Sequence, residues 1–70
     1  MSDKEWLHRL AKERDEHSAK LGKLHEFIFT NTAFDELNDA RQTLLRQQYY
    51  AMEQYRTILD MRLAYEAAHD

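Results

Sequence analysis

The sequence predicts an all-α protein, an antiparallel two-helix hairpin that assembles with copies of itself into a homo-oligomeric helical bundle. Three observations support this prediction. The chain contains one glycine and no proline, so little in it would break a helix. Apolar residues recur at steps of three and four over two long stretches. Between them lies the polar run Thr30-Asn31-Thr32, whose short side chains favour caps and turns.

The first helix is expected at about residues 3–29. Ser2 and Glu5 have the spacing of a capping box, which would start the helix there. Gly22 lies inside it and costs about 0.5–1 kcal/mol relative to alanine, so it would permit a close helix approach or a slight bend. Aliphatic residues form an a/d-like seam that polar residues interrupt in the middle. The seam consists of Leu7, Leu10, Arg14, His17, Leu21, Leu24 and Ile28.

The connection between the helices is expected at about residues 30–38. Thr32 would cap a short turn there, and Phe34 and Leu37 on that turn would close the end of the core. A hairpin folded at this point would bring Arg14 near Tyr55.

The second helix is expected at about residues 39–68, capped by Asn38 or Asp39. Its apolar stripe is wider than one partner helix can cover, so a second copy of the chain is expected to cover the remainder. The stripe consists of Leu44, Leu45, Gln48, Ala51, Met52, Tyr55, Ile58, Leu59, Arg62 and Tyr65.

Length and composition limit the chain to a single small domain, residues 1–70. A core of this size without disulfides rarely supplies more than ~3–5 kcal/mol, which again favours self-association. The absence of cysteine, of an apolar targeting segment and of a contiguous apolar run predicts a cytoplasmic protein without a membrane span. The formal charge of −3 argues against a general nucleic-acid coat.

Arg14 and His17, in the middle of the aliphatic seam, allow two interpretations. They could set helix register or oligomeric state, as polar residues at coiled-coil core positions do. Alternatively, the bundle could open there into a polar pocket shared between chains.

The second helix carries several arginines among its tyrosines, which offers guanidinium groups for phosphate and rings for a base. Solvated helix faces and salt bridges between subunits are the alternative interpretation. The candidate ligand-binding residues are Arg14, Arg41 and Arg62 for phosphate, Tyr55 for stacking on a base, and His17 and Gln48 for orienting hydrogen bonds.

Catalysis is not expected. Glu5-x-x-His8 matches one element of di-iron bundles, but the inward positions that would carry the other ligands are leucines. The sequence has no nucleophile elbow and no glycine-rich phosphate loop. It therefore predicts no catalytic residue, no metal site and no cofactor.

Four stretches carry a resemblance to known proteins. Residues 10–16, 21–28, 33–37 and 44–55, followed by Ile58-Leu59 and Arg62, resemble the small helical-hairpin proteins of tailed phages and prophages related to a crAss-like phage protein. Asn38 stands where those proteins often have proline.

The hairpin architecture also resembles phage anti-defence sponges, which bind cyclic nucleotide signals between subunits and so silence host cyclic-oligonucleotide and Thoeris-type immunity. This resemblance implies that the chain sequesters a cyclic nucleotide or a related small-molecule signal in the host cytoplasm. Two other functions remain open, a module that binds a host protein through an exposed helix face and an RNA-binding dimer of hairpins.

Overall fold

A computed structural model describes residues 4–69 of the chain. These residues form α1 (Glu5–Thr30), a 3-10 helix (Thr32–Glu36) and α2 (Asp39–Ala68). No strand occurs among them, so the prediction of an all-α protein is confirmed.

The first helix begins at Glu5, and Lys4 precedes it without a side-chain capping bond. Ser2, the first residue of the expected capping box, lies outside the described residues. The helix ends at Thr30, whose hydroxyl donates to the carbonyl of Glu26 at 2.7 Å. The next residue, Asn31, is extended (φ −102°, ψ 122°) and so terminates the helix.

The cap of the 3-10 helix differs from the expectation. Asn31 caps it, rather than Thr32, because the Asn31 side-chain oxygen accepts a hydrogen bond from the amide of Ala33 at 2.9 Å. An extended asparagine can reach the amide two residues ahead in this way, so it forms the turn one residue earlier than expected.

Phe34 on the 3-10 helix closes one end of the core. It is 2% exposed. The ring of Phe27 meets it edge-on, with the ring centroids 5.9 Å apart. The guanidinium of Arg46 lies 5.1 Å from the centre of the Phe34 ring, a distance typical of a cation–π contact.

Asn38 caps α2 by accepting a hydrogen bond from the amide of Arg41 at 2.8 Å. Gln42, one turn into the helix, donates to the carbonyls of Phe34 and Leu37 at 3.0 and 3.1 Å. These bonds satisfy carbonyls of the connection and hold it against the start of α2.

The two long helices run in opposite directions along a molecule of 55 × 15 × 14 Å. Arg14, in the first half of α1, contacts Asp60 in the second half of α2. His25, further along α1, meets Tyr49 in the first half of α2. The buried side chains of the described residues are Leu10, Leu21, Ile28, Phe34 and Leu59.

The chain leaves a continuous face of α2 uncovered, which we call the outer seam. Its residues follow one another at steps of three and four, so they lie on one side of the helix. All of them are exposed, although most are apolar or aromatic. The outer seam consists of Arg41, Leu44, Gln48, Ala51, Tyr55, Ile58, Arg62 and Tyr65.

Gly22 makes no close helix approach within the described chain. A side chain added there would meet nothing within 4 Å. The expected close approach is therefore not found in the single chain.

Leu59 is 0% exposed, and its truncation is expected to be among the most costly in the chain. Leu59→Ala should lower the free energy of unfolding by about 2–5 kcal/mol, because it removes buried methyl groups and leaves a cavity. Met61→Ala, two residues away on an exposed position, should change it by no more than about 0.5 kcal/mol. Urea unfolding followed by circular dichroism measures both, and equal losses would contradict this assignment of the core.

The Asn38 cap gives a second test. Asn38→Ala should destabilise the chain by about 0.5–2 kcal/mol, because the Arg41 amide loses its partner at the start of α2. Asn38→Asp keeps an acceptor at the same place and should remain close to the parent in thermal unfolding. A parent-like alanine variant would show that the cap contributes nothing.

Candidate functional site

A polar groove of about 410 Å³ runs along one side of α1 and ends against Tyr55 of α2. Steps of three and four place Arg9, Glu13, Glu16 and Lys20 on the same side of α1. The residues lining the groove are Arg9, Lys12, Glu13, Glu16, His17, Lys20 and Tyr55.

His17 is half-buried and lies at the bottom of this groove. Its Nε2 lies 2.7 Å from the backbone carbonyl of Met52, and because a carbonyl only accepts, Nε2 carries the hydrogen. The imidazole meets the Tyr55 ring edge-on, with centroids 5.0 Å apart and planes at 86°. The hydrogen bond and the ring contact fix the imidazole between the two helices.

Tyr55 forms the wall of the groove that α2 contributes. Its hydroxyl donates to the carboxylate of Glu13 on the facing helix. This hydrogen bond raises the pKa of Tyr55, burial and the negative charge of Glu13 add to the effect, and Arg62 opposes it. Tyr55 is 40% exposed, so its ring packs on His17 while the residue also forms part of the outer seam.

Arg14 does not line the groove. Its side chain reaches Asp60 on α2 at 2.9 Å and the neighbouring Asp15 at 2.8 Å. The hydrogen bond to Asp60, followed by the one to Asp15, raises the pKa of Arg14 further above its ordinary value. Tyr55, the neighbour expected for Arg14, instead contacts Glu13 and His17. The long arginine side chain reaches Asp60, five residues further along α2.

The other candidate residues lie along the outer seam. Arg62 is two turns from Tyr55 and close enough to influence its titration. Gln48 is exposed, and its amide lies 3.8 Å from the sulfur of Met52. Arg41 is at the start of α2, about 21 Å from Tyr55 at 1.5 Å per residue. One chain therefore brings His17, Tyr55 and Arg62 into one region and leaves Arg41 far from them.

The cations of the groove were missed by the sequence analysis. The arginines predicted from the sequence were Arg14 of the first helix and Arg41 and Arg62 of the second, and Arg9, Lys12 and Lys20 were not among the candidates. The signal was nevertheless present, because Arg9, Lys12 and Lys20 share the side of α1 that also carries His17. Only the position of Tyr55 on the facing helix turns this side into a groove.

Two of the three groove cations are held by long, exposed ion pairs. Arg9 lies 3.8 Å from Glu5, and Lys12 lies 4.0 Å from Glu16, with all four side chains at least 60% exposed. Ion pairs of this kind are worth ~0–1 kcal/mol, so an anionic ligand could replace the carboxylate partners at little cost.

Within residues 4–69, no three His, Cys, Asp or Glu side chains are grouped in a way that could hold a metal ion. Neither long helix of this part of the chain is apolar over a length sufficient to cross a bilayer.

A family model described as Sequestin matches residues 4–65. The match covers α1, the connection and most of α2. No curated protein matches the chain. No solved structure matches it either.

The contact between Tyr55 and Glu13 can be tested through the pKa of Tyr55. Glu13→Gln should lower the pKa of Tyr55 toward its ordinary value, because the amide keeps an acceptor but removes the negative charge. In the parent, the folded chain holds the phenolic proton more tightly, so this contribution to stability is present below the ordinary tyrosine pKa of about 10 and is lost as pH rises through the raised value.

NMR titration of the tyrosine ring signals measures this change. Glu16→Gln is the matched control, because it removes a groove carboxylate for which no contact with Tyr55 is found. An unchanged Tyr55 titration in Glu13→Gln would contradict the contact.

Proposed function

We propose that this chain, which belongs to the Sequestin family, binds a small phosphate-bearing nucleotide signal in a pocket between subunits and sequesters it without altering it. The chain would act as a phage anti-defence sponge in the host cytoplasm. The family description indicates sequestration. The observation that carries the proposal is the polar groove, which three cations and two glutamates line together with His17 and Tyr55.

The size and chemistry of the groove support a nucleotide. Its volume of about 410 Å³ falls within the ~300–1,000 Å³ typical of small-molecule sites. Lysine and arginine side chains can hold phosphate oxygens, and an aromatic ring can stack on a base, which is worth about 1–3 kcal/mol. In the proposed site the ring of Tyr55 stacks on the base. The groove cations and Arg62 bind the phosphate.

The remaining candidate residues keep roles in this proposal. His17 and Gln48 would orient the ligand by hydrogen bonds. Arg14 already has two carboxylate partners, so its part is to hold α1 in register against α2 rather than to meet phosphate. Arg41 belongs to the site only if another copy of the chain brings it there.

The outer seam supports homo-oligomerisation as part of this proposal. Leu44, Ile58 and Tyr65 are each more than half exposed in the single chain. Contiguous exposed apolar surface of this kind marks an interaction site. A second copy on the outer seam would cover these side chains and close the groove beside Tyr55.

Calorimetry against cyclic nucleotides and adenosine-ribose nucleotides tests the proposal. The expected result is binding tighter than ~100 µM, about 5.5 kcal/mol, with the nucleotide recovered unchanged. Lys20→Glu should weaken this binding at least tenfold, because it places a negative charge in the groove. Lys23→Glu makes the same charge change at an exposed position that does not line the groove, and it should bind like the parent.

If no nucleotide of the panel binds, the proposal of nucleotide sequestration is contradicted. An RNA complex that weakens steeply with added salt would instead support the RNA-binding alternative. Equal effects of the two lysine variants would show that the groove is not the site.

A further inference from the structure

The outer seam has a nearly palindromic order of side-chain types. Read in either direction, it gives an arginine, an aliphatic residue, a hydrogen-bonding residue, an alanine, a hydrogen-bonding residue, an aliphatic residue and an arginine. The sequence from first to last is Arg41, Leu44, Gln48, Ala51, Tyr55, Ile58 and Arg62. Every one of these residues is exposed in the single chain.

We propose that two copies pair through their outer seams in antiparallel orientation about Ala51, and that each of the two resulting sites holds an anionic ligand between Arg62 of one copy and Arg41 of the other. This inference rests on the proposed function, because it identifies the second subunit's contribution to that site. The pairing also explains how Arg41, about 21 Å from Tyr55 in one chain, could belong to the site.

The antiparallel register follows from the positions along α2. With the two-fold axis at Ala51, Leu44 faces Ile58 of the other copy, so aliphatic side chains meet. The small Ala51 side chains at the axis let the two helices approach closely. The opposed helix dipoles also favour this orientation. The steps of three and four match the seam of a two-stranded coiled coil.

The same register places polar groups together at two equivalent points. Gln48 of each copy lies beside Tyr55 of the other, and Arg41 of each copy lies at the level of Arg62 of the other. The two sites are then about 31 Å apart along the paired helices, at 1.5 Å per residue. Each pair of chains would therefore bind two ligands.

The facing arginines indicate the charge of the ligand. Two guanidinium groups that meet across an interface repel each other unless an anion lies between them. None of the other seam residues is acidic. A phosphate group satisfies both guanidinium groups with two-pronged hydrogen bonds, which carboxylates and phosphates accept especially well.

The buried area is compatible with a specific pair. The seam from Arg41 to Tyr65 is about 36 Å long at 1.5 Å per residue. With a molecular width of about 15 Å, each copy contributes roughly 500 Å², which reaches the ~1,000 Å² total expected of a specific interface.

Mixing two variants gives the sharpest test. Arg41→Ala and Arg62→Ala should each reduce binding of the nucleotide identified in the calorimetric panel at least tenfold when each is alone. In a mixture exchanged by mild denaturation and refolding, half of the pairs contain one chain of each kind. Those pairs have one site with both arginines and one with neither, so about a quarter of the parent binding capacity should return at parent affinity. No recovered capacity would overturn the shared site.

Cross-linking tests the pairing without any ligand, which separates its failure from failure of the proposed function. The chain has no cysteine, so every disulfide that forms must involve the introduced cysteines. Leu44→Cys mixed with Ile58→Cys should give a disulfide-linked pair on mild oxidation, whereas either variant alone should not. Leu44→Cys that links to itself would indicate parallel pairing and overturn the register.

Thr43→Cys, an exposed position of α2 outside the outer seam, is the control and should stay unlinked in every mixture. A linked Leu44→Cys and Ile58→Cys pair in a chain that binds no nucleotide would support the pairing and contradict the proposed function. Nucleotide binding by chains that neither cross-link nor complement would contradict the pairing alone.

Discussion

The structure depends on one constraint, that α2 is apolar on two faces while the chain supplies a single helix to cover one of them. Leu59 is fully buried against α1. Ile58, its immediate neighbour, points to another side and is about half exposed. A helix with two apolar faces is typical of a bundle of more than two helices, because two helices alone cannot cover both faces. The exposed apolar face of the second helix is therefore the feature on which the proposed pairing with another copy rests.

The elements of the fold were predictable because their signals are local. Asn38 is a strong helix cap, and the polar run around Asn31 interrupts the apolar periodicity on which helix prediction depends. The cap at Asn31 was misplaced by one residue, because asparagine and threonine compete for the same role and only the backbone angles decide between them. Phe34 could be assigned to the core because it is the large aromatic residue of the connection.

The candidate site was harder to predict because it depends on both helices at once. Tyr55 and His17 were identified from their positions in the two seams. Arg14 was assigned to phosphate, yet Asp60 already partners its guanidinium, a contact that depends on the exact offset between the helices. Lys20 was overlooked because the side of α1 that it shares with His17 forms a groove only where Tyr55 of the other helix lies opposite it.

The core, which comprises five buried side chains among residues 4–69, has a consequence for the stability of the protein in a cell. A rod with so little interior opens often, and an open helix is cleaved readily by cellular proteases. Chains that pair and bind a ligand as proposed would open less, since the second copy and the ligand both bind the folded form and stabilise it by mass action. Proteolysis would then degrade unpaired, ligand-free chains first. The steady-state concentration of the protein would therefore rise and fall with the concentration of its ligand.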